Sequence, residues 1–173
     1  MRAVVCLALT IAAVAGAAAQ SGSGGKTPTK AEVTEATTDH LRIRYLNRLT
    51  RDADGSVALT LEIAPRPGMH VYAPGADDYQ IITMAIEEQR GIVPRPLSYP
   101  PSEIYHFVPL NERIPVYQKP FKLTLGARVE SAAGVKAGTG SSVKVSGRLD
   151  YQACDDKVCF APVSVPLSWT VLR

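Results

Sequence analysis

The chain has 173 residues, a formal net charge of +3 and a hydrophobic fraction of 46%. That length fits one domain, and that apolar fraction is enough to bury a core. Aromatic content is low at 6% and the basic residues are scattered, which excludes a charge-driven nucleic-acid or membrane-surface partner.

The chain opens with MRAVVCLALTIAAVAGAAAQ. Arg2 is followed by an apolar run from Ala3 to Val14 and by small residues ending in Ala17, Ala18 and Ala19. This is the pattern of a secretory signal peptide over residues 1–19, cut before Gln20. The competing reading is a membrane anchor, for which the run is short. Cys6 lies inside the run and is expected to leave with it. The expected location is therefore periplasmic or secreted, where disulfides form and persist. No later apolar run is long enough to cross a bilayer, so no membrane span is expected after signal removal. Residues 20–36 begin with the small, polar stretch QSGSGGKTPTKA and are expected to form a disordered leader, with the folded domain over 37–173.

Beyond the leader the apolar pattern has period two. Val57, Leu59, Leu61 and Ile63 fall on one face, as do Phe121, Leu123, Leu125, Ala127 and Val129. The same holds for Val143, Val145, Gly147, Leu149 and Tyr151, and for Val163, Val165, Leu167, Trp169 and Val171. Such alternation predicts half-buried antiparallel strands. Turn signals separate them: DADG at 52–55, PRPG at 65–68, APG at 73–75 and GVKAGTGSS at 134–142. The stretch 82–89 reads either as a helical turn or as a strand. Residues 90–120 are proline-rich and weakly patterned, and are expected to form a long irregular segment that could act as a lid. Seven to nine short strands without internal repeat predict an all-β, two-sheet sandwich.

Cys154 and Cys159 are the two cysteines left after signal removal, and they lie in the connection YQACDDKVCFAP between the last two strands. Three readings fit this spacing. A bridge across so short a loop is sterically possible and stabilises by only about 2 kcal/mol in the chain-entropy model. A short-range bridge in a connection is also accessible to an attacking thiolate, as exchange requires. Half of a tetrahedral metal site is the third reading, but His40, His70 and His106 lie in separate segments and none forms a spaced pair. Asp155 and Asp156, opposed only by Lys157, disfavour a thiolate at Cys154. That argues against an activated cysteine nucleophile of the protease type, which needs a neighbouring base. The two aspartates also read as an ordinary solvated turn.

The stretch YQACDDKVCFAPVSVPL, 151–167, resembles the amino-terminal periplasmic domain of the thiol:disulfide interchange protein DsbD. The resemblance rests on Tyr151, Gln152, Cys154, Asp155, Asp156, Cys159, Pro162, Val165, Pro166 and Leu167. PGMHVYAP, 67–74, is similar to a second strand of the family, and YPPSEIYHFVPLNERIPVY, 99–117, falls where the family has its cap loop. The likeness extends over residues 40–172. It implies an immunoglobulin-like antiparallel β-sandwich with no cofactor, acting as a thiol-disulfide oxidoreductase-type electron shuttle. Cys159 would form the intermolecular bond and Cys154 would resolve it. Tyr105 or Phe107 would shield the pair. His70 and Tyr72 share a face of their strand and would lie beside the cysteines, with a histidine standing where the family has an aromatic. On the residues alone, His70 reads equally as an exposed strand residue and Tyr72 as packing.

The implied partners are periplasmic thioredoxin-like proteins. Full-length family members continue into a transmembrane domain and a thioredoxin domain, whereas this sequence ends at Arg173. The expected electron donor is therefore a separate membrane thiol relay. The alternative function is a non-catalytic immunoglobulin-like interaction module whose disulfide is structural.

Overall fold

The structure is a computed structural model that describes residues 32–108, 111–130 and 142–172. The period-two pattern becomes three sheets. The first runs in the order β1 (Val33–Thr37), β2 (Leu41–Leu46), β4 (Ser56–Pro65), β10 (Phe121–Val129) and β7 (Ile92–Ser98). The second runs β3 (Arg48–Thr50), β13 (Val163–Leu172), β11 (Ser142–Tyr151) and β6 (Thr83–Ile86). The third and smallest runs β12 (Ala153–Cys154), β5 (His70–Tyr72), β9 (Glu112–Tyr117) and β8 (Glu103–Phe107). Ladders are antiparallel except for that between β13 and β3. This is an immunoglobulin-like antiparallel β-sandwich.

The core lies between the first two sheets. Leu41, Ile43, Leu59, Leu61 and Leu123 meet Val145, Leu149, Leu167 and Trp169 across it. Alternation explains the membership: every second residue of β4 and β10 is buried, and the residues between face water. Trp169, 1% exposed, packs its ring 5.5 Å from that of Tyr45. Gly147 permits this packing. A Cβ there would stand 2.5 Å from the Ala85 carbonyl oxygen and 3.2 Å from the Trp169 ring. The alternating set has two exceptions, since Val143 is exposed near the start of β11 and Val163 is only partly buried at the start of β13.

Several expectations are corrected. Thirteen strands occur among the described residues, against the seven to nine expected. The segment 90–120 holds β7, β8 and β9 instead of a long irregular lid. Prolines hid these strands. Pro94 and Pro96 lie in β7, an edge of the first sheet, where a missing N–H is tolerated. Of the two readings of 82–89, the strand is the one found, as β6 over Thr83–Ile86. Val33–Thr37, all but its last residue in the stretch expected to be disordered, forms β1 and pairs with β2. The signal peptide, the leader up to residue 31 and most of the turn at 134–142 lie outside the described residues.

Candidate functional site

The third sheet builds the site. Its two faces do different things, because cross-strand partners share a face. Ala153 pairs with Val71, and Val71 with Tyr117; these point into the main core. Cys154 pairs with His70, Tyr72 with Val116 and Tyr105 with Ile114, and this face carries a second cluster. The tripeptide His70-Val71-Tyr72 thus gives its middle residue to the fold and its outer two to the site. All three are buried, so the reading of His70 as an exposed strand residue is corrected: it is 4% exposed.

The cysteines sit where β11 and β13 diverge, beyond the pair Tyr151 and Val163. A disulfide joins Cys154 to Cys159. The loop between them is a tight turn. Asp155 N–H donates to the Val158 carbonyl at 3.0 Å, and the Asp155 Oδ1 accepts from the backbone N–H of Lys157 and of Val158, each at 2.7 Å. Those two donors hold the Asp155 carboxyl below the ordinary carboxylate range. Asp155 therefore shapes the loop, while Asp156 is exposed. The two cysteines differ sharply in environment. Cys154 is 1% exposed, on a strand; Cys159 is exposed.

The Tyr72 hydroxyl donates to Cys154 Sγ at 2.9 Å and to Cys159 Sγ at 3.2 Å; the bridged sulfurs carry no hydrogen and can only accept. Burial, then the neighbouring Tyr79, Glu112 and Tyr105, push the Tyr72 phenol up to about 12, so it remains a donor at neutral pH. The Tyr72 ring stacks on Tyr79 at 4.2 Å and meets His70 edge-on at 5.7 Å. On the far side of His70, the Tyr105 ring lies at 4.6 Å. Tyr105 and Phe107 project from β8 and pack against the Cys154 cluster, with both cysteines lining the same cleft. Burial lowers the proton affinity of His70, against the opposing charge of Asp155.

The family described as "Thiol:disulfide interchange protein DsbD, N-terminal" matches residues 46–165. The chain belongs to this family. A solved structure, the N-terminal periplasmic domain of ScsB from Proteus mirabilis, superposes with a TM-score of 0.58 at 14% sequence identity, covering 78% of this chain and 49% of that one. The chain thus spans about half the length of that structure, and the likeness is one of fold. No curated protein matches the chain in sequence.

In this DsbD N-terminal domain, all six residues expected at the site, His70, Tyr72, Tyr105, Phe107, Cys154 and Cys159, line one cleft. Two further residues belong with them and were missed. Tyr79 stacks on Tyr72, and its hydroxyl donates to Glu112 Oε2 at 2.7 Å. Neither sits in an alternating strand pattern that would have marked it. The one signal was the Ala-Pro-Gly turn at 73–75, which folds the chain back so that Ile81 bridges Tyr72 and Tyr79 comes to lie against it. Among the described residues, no three His, Cys, Asp or Glu side chains gather as a metal-binding group would require. His40 packs instead on Phe160 at 4.5 Å, and His106 Nε2 lies 3.0 Å from Asn111 Oδ1.

Proposed function

We propose that this domain is a periplasmic thiol-disulfide exchange protein that passes electrons from a membrane thiol relay to thioredoxin-like partners through Cys154 and Cys159. The observation that carries the reading is the asymmetry of the pair: Cys159 is exposed while Cys154 is buried beside it. An attacking thiol needs access, and a resolving thiol needs only to be held close.

In the reduced state the Cys159 thiolate attacks one sulfur of a partner disulfide, and the partner's other sulfur leaves as a thiolate. Cys154, deprotonated, then attacks Cys159 Sγ. The intramolecular disulfide closes, and the mixed disulfide breaks with its electron pair on the partner. The partner gains two electrons and the protons of the two thiols; the domain loses them. A dithiol of the membrane relay restores the pair by the same steps in reverse. Tyr105 and Phe107 cover the buried side of the pair from β8 and limit attack by small oxidants, while the exposed Cys159 stays open to a partner.

The alternative is an interaction module with a structural staple. Against it stands the backbone of the loop, which is already closed by Asp155 N–H to Val158 carbonyl and Phe160 N–H to Ala153 carbonyl. A bridge five positions long adds only about 2 kcal/mol to such a hairpin.

The test is a non-reducing gel of each single variant expressed in an oxidising compartment. Cys154→Ala is expected to accumulate a reducible covalent complex through Cys159, and Cys159→Ala far less. No complex from either, together with a large loss of thermal stability in both, would falsify the exchange reading.

A further inference from the structure

Three contacts run in series from a carboxylate to the disulfide. Glu112 Oε2 accepts from the Tyr79 hydroxyl at 2.7 Å. The Tyr79 ring lies on the Tyr72 ring at 4.2 Å, with 19° between the planes. The Tyr72 hydroxyl donates to both sulfurs, at 2.9 Å and 3.2 Å. Each link restricts the next. The hydrogen bond fixes the tip of Tyr79, the stack fixes the plane of Tyr72, and that plane decides where its hydroxyl lies. The outer end is itself anchored by backbone. Glu112 opens β9 directly after Asn111, whose φ of 54° turns the hairpin. Tyr79 closes successive turns in which Ala76 N–H donates to the Ala73 carbonyl and Tyr79 N–H to the Ala76 carbonyl.

We propose that Glu112, acting through Tyr79, is a positioning residue that holds the Tyr72 hydroxyl over the sulfurs for donation to the thiolate released when the disulfide opens. The inference rests on the exchange reading above. When a donor thiolate attacks Cys159 Sγ, a new S–S bond forms there, the Cys154–Cys159 bond breaks, and its electron pair leaves on Cys154. A hydrogen-bond donor already aimed at that sulfur stabilises the new charge without having to reorganise. Tyr72 transfers no proton in this step, because its own proton is held too tightly. The other charged or titratable groups around the sulfurs are Asp155, Lys157, His70 and Tyr105, and none of them hydrogen-bonds to either sulfur.

Glu112 also carries charge, which opposes a thiolate, so its charge and its positioning act in opposite directions. Two substitutions separate them. Glu112→Gln removes the charge and keeps an acceptor for Tyr79; Glu112→Ala removes both. The measurement is the pH dependence of the ultraviolet thiolate absorbance of Cys154, read with the exposed Cys159 replaced by alanine. The midpoint for Glu112→Ala is expected to lie about half a unit above that for Glu112→Gln, seen as about threefold less thiolate at a fixed pH below both midpoints. Tyr79→Phe keeps the stack, loses the hydrogen bond and raises the midpoint above wild type. In a Tyr72→Phe background the alanine and glutamine variants are expected to coincide. Identical midpoints for the two Glu112 variants in the otherwise native chain overturn the proposal, and so does a gap that survives Tyr72→Phe. If Glu112→Ala fails to fold, an unchanged midpoint in Tyr79→Phe overturns it equally. Failure of the exchange reading has a different signature, since the wild-type protein itself then fails to exchange with glutathione and both proposals fall. If the positioning role alone fails, wild-type exchange stays intact.

Discussion

The described residues form two hydrophobic clusters, and they are built differently. The main core is closed by sheets on both sides and filled with aliphatic residues around Trp169. The second cluster has a sheet on one side only. Tyr72, Ile114, Val116 and Cys154 have Tyr79, Ile81, Tyr105 and Phe107, all partly buried, packed against them. Three strands serve both: β5 with Val71 on one face and His70 and Tyr72 on the other, β9 with Tyr117 and then Val116, and β12 with Ala153 and then Cys154. The division assigns most of the buried apolar area, and hence most of the stability, to the first cluster. The second brings tyrosine rings, the disulfide and a buried imidazole together along one cleft.

Substitutions should therefore separate folding from redox behaviour. The largest expected effect is Trp169→Ala in the main core, which should cost about 3–5 kcal/mol in urea unfolding. The protein that remains folded should keep the wild-type potential against glutathione. A shifted potential would mean that the clusters are coupled through the strands they share. Next comes removal of both cysteines. Cys154→Ala with Cys159→Ala should lose only about 2 kcal/mol and leave the circular dichroism of a β protein unchanged. A loss as large as that of Trp169→Ala would erase the distinction between the clusters.

Smaller again is the effect of His70. Its proton affinity is lowered in the fold, chiefly by burial, so the unfolded chain binds a proton near pH 6.5 that the native state refuses. Its contribution is thus fully present above that pH and declines as the pH falls below it, with a slope of at most about 1.4 kcal/mol per unit. His70→Phe should flatten the slope, as read from unfolding midpoints between pH 7 and pH 5. An unaltered slope would place its origin elsewhere. Asp155 acts in a lower window, since its carboxyl is held below 3.8 and its share is lost only as it protonates. The smallest effect on stability belongs to Tyr105→Ala with Phe107→Ala, expected to cost less than about 1 kcal/mol, as part-exposed positions do. The same variant should speed oxidation of the reduced pair by a small oxidant. An unchanged rate would remove the covering role from β8.

The main core was legible in the sequence because period-two burial is a local property. Leu59, Leu61, Leu123, Leu125 and Trp169 announce their faces through their immediate neighbours. The cysteine turn was legible because both thiols sit within one short motif. The third sheet was obscured for a physical reason: its strands are short and its apolar residues split between two clusters, so no run of them alternates cleanly. Pro115 added to this. It lies in the middle of β9, where it has no N–H to donate, yet it keeps its register with Ile104 of β8 and its carbonyl accepts from Ala73 N–H at 2.9 Å. Tyr79 and Glu112 reach the site through turns and register, which depend on the folded whole.

The cysteines are five positions apart, whereas the aromatic rings over them come from a strand much earlier in the chain. Loops of about ten residues close within about 10–100 ns, long before distant strands pair. The two thiols can therefore meet in a chain that has not yet folded, and their oxidation needs no finished topology. Their cover exists only once β8, β9, β5 and β12 have assembled. In an oxidising compartment the chain is consequently open to oxidation first and sheltered second, so on the exchange reading proposed above it would start as the disulfide.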